Sequence, residues 1–234
     1  MSEILKINNL WGGYQEGVDI LRGISLEVQQ GEAVGIIGLN GSGKSTFGKA
    51  IMNMIPFRKG EIFFEGEDIT LLTTSQLSHR GISIMQQGGK VFGSLSVWEN
   101  LQLASQGEFS QLSEVIPLLQ RSKRELQHLM ADKLSGGQKH QLSLAMTLAS
   151  NPRLVILDEP SAGLSPKAVE EMYKILQTIR DLLGVTIILI EQTISRALSY
   201  CERSLLMEMG GFSSQIESSD FNKIEELLFK NIKS

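Results

Sequence analysis

The chain has 234 residues, of which 41% are hydrophobic and 21% charged, with 22 Lys and Arg against 26 Asp and Glu for a net charge of −4. Such a length can bury a full core as one large domain or one domain with a small insertion, and the composition is that of globular rather than disordered or fibrous proteins. The scattered basic residues argue against a nucleic-acid partner, apolar runs such as Ile187 to Ile190 are far shorter than a bilayer span, the N-terminus lacks a signal-peptide apolar core, and one cysteine, Cys201, forms no internal disulfide and fits a reducing compartment.

Residues 3–38 hold three short β-branched segments, EILKINNL, ILRGISLEV and AVGIIG, separated by polar or glycine-containing turns. They read as three strands. The third runs into GLNGSGKST and then the helical run FGKAIMNMI, so Gly38 to Ser45 fits G-x-x-x-x-G-K-[ST] in its strand–loop–helix setting. Glycines there let main-chain amides converge on phosphate oxygens, and the helix start adds positive partial charge. Lys44 can reach the β and γ phosphates, and Ser45 offers a hydroxyl to Mg²⁺.

From about Ser96 to Met130 the spacing turns helical, with Leu112, Val115, Ile116, Leu119 and Leu126 as the apolar positions. Next, LSGGQ places Ser135 at the head of a helix running to Ala149, where Gly136 and Gly137 leave room for an anion at the amides. A plain N-cap would use the same serine. The run LVILDEP ends an apolar strand on Asp158, where a carboxylate needs a cation or a donor, and strand alternation turns Glu159 toward an attacking water. In the helix that follows, Ser165 caps, Pro166 fits the first turn, Val169, Met172, Leu176, Ile179 and Leu183 share a face, and Gly184 stops it. GVTIILIE is another buried strand, and Phe221, Ile224, Leu228 and Ile232 give a terminal helix. Apolar strands linked through helices predict an α/β fold with a mostly parallel sheet covered on both faces. The three histidines, His79, His128 and His140, lack metal-ligand spacing.

Taken in order, Tyr14, GLNGSGKST, Gln87, LSGGQ, LVILDE, SAGLS and the EQ of Gln192 resemble the motif series of ABC transporter ATP-binding subunits. The resemblance implies a phosphate-loop NTPase core, an antiparallel β subdomain and a helical subdomain. It divides one domain of residues 1–234 into a core of about 1–87 and 150–234 and a helical part of about 88–149. By the same likeness Gly38, Leu39, Asn40, Gly41, Ser42, Gly43, Lys44, Ser45 and Thr46 bind ATP, with Tyr14 stacking on adenine. Ser135, Gly136, Gly137 and Gln138 bind it from a second cassette. Ser45, Gln87 and Asp158 hold Mg²⁺, and Glu159, Gln192, Gln87 and Lys44 carry catalysis. Gln87 is preferred to Gln86 because ISIMQQ places it past the strand end.

The chain departs from most of the family in carrying Ser165 for an aspartate, Gln192 for a histidine and Met146 for an arginine. Gln192 can donate an amide hydrogen bond but cannot take a positive charge. EGEDIT, VFGSLSVWENL, EPSAGLSP and EQ are similar to the ATPase subunits of branched-chain amino acid importers and their amide or urea relatives. Such likeness implies integral membrane permease subunits, a homodimer or heterodimer of cassettes, a solute-binding protein, and a place on the cytoplasmic, inner face of the cell membrane. A non-transport regulatory or repair ATPase is the alternative. Such proteins usually carry coiled coils between the motifs or two cassettes in one chain, and this sequence has neither. A GTP switch finds only a near miss to its base-reading motif, at Asn222 to Glu225.

Overall fold

The structure is a computed structural model that describes residues 2–104 and 110–217. The expected terminal helix of Phe221 to Ile232 lies outside the described residues. The described residues divide into two compact units, those within 2–50, 55–70 and 188–217 in the first, and those within 51–54, 71–104 and 110–187 in the second.

In the first unit β1 (Glu3–Gly13), β2 (Leu21–Gln29), β4 (Phe57–Phe64) and β5 (Glu67–Asp68) form an antiparallel sheet in the order β2-β1-β4-β5. Two-residue alternation buries Leu5 and Ile7 of β1 and Ile24, Leu26 and Val28 of β2, and Ile4, Leu10 and Ile62 are buried as well. β1 changes register between Asn8 and Trp11 against β4. Asn9 takes a left-handed backbone there (φ 50°), and Gly60 faces it, where a Cβ would come within 2.5 Å of the Asn9 carbonyl. Also in this unit, the fully buried β3 (Ala33–Ile37) pairs in parallel with β9 (Arg203–Glu208), whose other edge carries β10 (Gly211–Glu217) antiparallel. α1 (Lys44–Ile51) follows β3 directly, and α8 (Ile194–Tyr200) packs on β3. Phe47 of α1 is fully buried and meets the edge of Phe212, ring centroids 5.5 Å apart.

The second unit is built on the parallel pair β6 (Ile82–Met85) and β7 (Leu154–Asp158), in register from Ile82 with Leu154 to Met85 with Leu157. Its helices are α2 (Thr74–His79), α3 (Val97–Ala104), α4 (Ser110–Val115), α5 (Lys123–His128), α6 (Gly136–Leu148) and α7 (Pro166–Leu183). The expected helical stretch consists of several short helices and 3-10 turns, because Pro117 cannot continue α4 and Ser122 opens α5 with a capping box. Leu112, Ile116, Leu119 and Leu126 are buried as expected, together with Leu118, while Val115 is half-buried.

α7 follows the sequence closely. Ser165 accepts a hydrogen bond from the Ala168 amide, Pro166 opens the helix, and Gly184 closes it in the left-handed region at φ 61°. Val169, Met172, Leu176 and Ile179 line the buried face with Ile175, and Leu183 is only half-buried. β8 (Thr186–Glu191), buried along its whole length, leads from the second unit into the first.

Asn100 organises the stretch between β6 and α3 in a way the sequence did not signal. It is fully buried. Its side-chain oxygen accepts the Phe92 amide at 2.8 Å, and its side-chain nitrogen donates to the carbonyls of Phe92 (3.0 Å) and Ser96 (2.9 Å). An isosteric leucine fills the volume and leaves those main-chain groups unmade. Asn100→Leu is expected to lower unfolding stability by about 2 kcal/mol in urea titration; a loss below about 0.5 kcal/mol contradicts this role.

Candidate nucleotide site

The loop between β3 and α1 is shaped by three glycines with positive φ: Gly38 (156°), Gly41 (82°) and Gly43 (109°). A Cβ on Gly38 would stand 2.4 Å from the Met207 carbonyl and 2.9 Å from Ser42 Oγ, so close packing as well as conformation requires glycine there. At Gly41 nothing lies within 4 Å, which leaves the loop open on that side. Leu39, Asn40 and Gly41 are exposed, whereas Ser42, Lys44 and Thr46 are buried and Ser45 is half-buried. Lys44 Nζ donates to the carbonyls of Gly38 (2.7 Å) and Leu39 (3.0 Å). The ammonium thus draws loop carbonyls toward itself. Ser42 Oγ is enclosed with no hydrogen-bond partner, an open valence that fits an anion brought to this loop.

Tyr14 stands just past β1 in a turn closed by the bridge of Gln15 with Val18. It is 44% exposed, and Lys49 Nζ lies 6.0 Å from its ring centroid. An exposed aromatic face can take an adenine. Gln192 is exposed in the turn between β8 and α8.

In the second unit Asp158 is the last residue of β7 and only 3% exposed. Glu159 lies beyond the strand in a left-handed conformation (φ 48°), so a turn, not strand alternation, sets its direction. Such a backbone is strained for a non-glycine residue. Gln87 Nε2 donates to Glu159 Oε2 at 2.6 Å, joining residues 72 apart in sequence. Gln86 instead accepts from Lys90 Nζ at 3.3 Å. Gln87 is therefore the glutamine at the carboxylate, and its amide oxygen remains as an acceptor. In the first unit Ser45 carries a hydroxyl, and in the second Gln87 and Asp158 carry an amide oxygen and a carboxylate; each is a hard oxygen donor of the kind Mg²⁺ takes.

Ser135 caps α6 with a full capping box: its Oγ accepts the Gln138 amide at 3.3 Å, and Gln138 Oε1 accepts the Ser135 amide at 3.0 Å. The cap uses one of the two lone pairs of the hydroxyl oxygen and not its proton, so the hydroxyl can still donate to an anion. Gly136 has nothing within 4 Å of where a Cβ would stand, and Gly137 has only the Ala168 methyl at 3.5 Å. Residues 135–138 line a cleft of about 620 Å³ with Arg121, Gln141 and Ser165. Gln141, buried, braces the cleft by accepting the Leu118 amide (3.0 Å) and donating to Glu171 Oε1 (3.2 Å). Sequence reasoning passed over Gln141 and Asn100, because they stand beside Lys139 and His140 and beside Glu99 and Gln102 and so do not stand out from the local polar pattern.

The α/β strand–loop–helix with its buried lysine and the separate carboxylate turn define a phosphate-loop nucleotide-binding protein. A sequence profile described as "ABC transporter" matches residues 21–162, well over half of the chain. The chain is 34% identical over 204 residues to the high-affinity branched-chain amino acid transport ATP-binding protein BraG of Pseudomonas aeruginosa, covering 84% of this chain and 86% of that one. It is 31% identical over 217 residues to the lipopolysaccharide export system ATP-binding protein LptB of Escherichia coli, covering 88% and 87%. Among solved structures, the ADP conformation of an ATP-binding cassette of an ABC transporter superposes with a TM-score of 0.80 at 26% identity, over 100% of both chains. The chain belongs to the ABC transporter family, as one of its ATP-hydrolysing subunits. Among the described residues no helix is long and apolar enough to cross a membrane.

Proposed function

We propose that this subunit powers import of branched-chain amino acids or related amides through separate integral membrane permease subunits. It works as a homodimer or heterodimer of cassettes on the inner face of the membrane, with a solute-binding protein in the complete system. The motif series and the relatives named for branched-chain amino acid transport, BraG and a probable LivF of Archaeoglobus fulgidus at 33% identity, support the import reading. The similarity to LptB favours a second reading, an export system.

The observation that carries the catalytic assignment is the 2.6 Å hydrogen bond between Gln87 and Glu159. In this reading the loop amides of residues 38–46 and Lys44 hold the phosphates, Tyr14 stacks on adenine, and Glu159 accepts the proton of the attacking water. Gln192 donates its side-chain amide to the γ-phosphate, and Ser135 with Gly136, Gly137 and Gln138 closes the site from the second cassette. Ser45, Gln87 and Asp158 would hold Mg²⁺, which would supply charge neutralisation to the β and γ phosphates when bound. Residues 1–234 act as one domain, core about 1–87 and 150–234 and helical part about 88–149.

Glu159→Gln is expected to keep MgATP binding, to cut turnover by about a hundredfold or more, and to accumulate an ATP-bound dimer on size-exclusion chromatography. Turnover at the parent rate would remove Glu159 from this role. For the solute, deleting the chain from its own cells should abolish ATP-dependent uptake of labelled leucine and restoring it should bring uptake back. Unchanged uptake favours the export reading instead.

A further inference from the structure

His140 lies in the first turns of α6, only 6% exposed, and none of the assigned steps uses it. Its Nδ1 is 3.0 Å from the Gly136 carbonyl, so Nδ1 carries the proton and donates it there. Nε2 is then left as an acceptor, enclosed with no partner. A buried aliphatic side chain would fill this space without leaving an unmade hydrogen bond, so volume alone does not account for a histidine.

Against the ring lies the main chain of Gly89, itself buried and left-handed at φ 57°. A Cβ at residue 89 would stand 2.9 Å from His140 Nδ1 and 3.1 Å from both its Cγ and its backbone nitrogen. The contact is possible because one partner is flat and the other has no side chain. Gly89 follows Gln87 by two residues, a span of about 7 Å at most, and Gln87 is the residue hydrogen-bonded to Glu159. On the other side, the Gly136 carbonyl belongs to the turn that presents the amides of residues 136–138. His140 therefore touches both the loop of the carboxylate's partner and the first turn of the helix whose start lines the 620 Å³ cleft.

We infer that His140 is a positioning residue: its imidazole is the post against which the Gln87 loop is set, so that the loop and the start of α6 shift together. Through it, whatever engages Ser135 to Gln138 changes the placement of Gln87 at Glu159. This inference rests on the roles given above to Gln87, Glu159 and Ser135.

Amide hydrogen exchange of the nucleotide-free protein tests the mechanical part without reference to turnover. His140→Ala should speed exchange across residues 86–90 by about tenfold, His140→Leu, which keeps the volume, should do so nearly as much, and His140→Asn, which keeps a donor at the Nδ1 position, should restore protection. Steady-state kinetics test the coupling. His140→Ala should lower kcat about tenfold while KM for ATP changes less than about twofold. Gly89→Ala should be damaging in the parent and markedly less so beside His140→Ala; the backbone strain at φ 57° is common to both backgrounds and cancels in that cycle.

Unchanged exchange across residues 86–90, or Gly89 and His140 effects that simply multiply, would overturn the inference. Faster exchange with an unaltered kcat overturns the link to hydrolysis. If Glu159→Gln also turns over normally, the failure belongs to the catalytic assignment and not to the contact between His140 and Gly89.

Discussion

The structure depends on a loop from which side chains are excluded. Between β3 and α1 the chain must turn sharply and bring Gly38 against the carbonyl of Met207 at the far end of β9, at a separation no Cβ tolerates. Lys44, at the start of α1, donates to two carbonyls of that loop. With those carbonyls held by the ammonium, the loop has main-chain amides to offer an anion, as phosphate loops do. Both the fully buried β3 behind it and the buried Phe47 beyond it fix where this loop stands.

The second unit shows the same use of geometry with different groups. Glu159 is held in a left-handed turn just after a buried strand, and Gln87 satisfies one of its oxygens. The capping box at Ser135 occupies one lone pair of the hydroxyl and the Gln138 amide, but leaves the hydroxyl proton and the space above Gly136 open. Each feature is a local hydrogen-bonding solution that also presents a group outward. Around them, buried polar side chains act as braces: Asn100 ties the approach to α3, and Gln141 joins Leu118 to Glu171 across the cleft. Such braces are costly to bury unless every bond is made, and for that reason they specify one arrangement.

Much of this was legible in the residues. The phosphate loop, the three leading strands, α7 with Ser165, Pro166 and Gly184 at its ends, and the buried run of β8 follow from spacing, caps and turn chemistry, all of which are local. What escaped was long-range. β4 and β9 pair with strands distant in sequence, β1 and β3, and β10, although it pairs with its neighbour β9, has an interrupted alternation. The helical character of residues 96–130 was legible, but its division at Pro117 and Ser122 was not read from the apolar spacing. The direction of Glu159 was expected from strand alternation, but the strand ends one residue earlier. For His140 the sequence showed only an absence of metal-ligand spacing, because nothing local puts Gly89 against it.

The most direct measurement is calorimetric titration of the intact chain with MgATP, beside Lys44→Ala. The account predicts saturable binding at one site per chain, weakened about a hundredfold in the variant by loss of charge-assisted hydrogen bonds to phosphate. Absence of binding by the parent, or equal affinity in the two proteins, would contradict it.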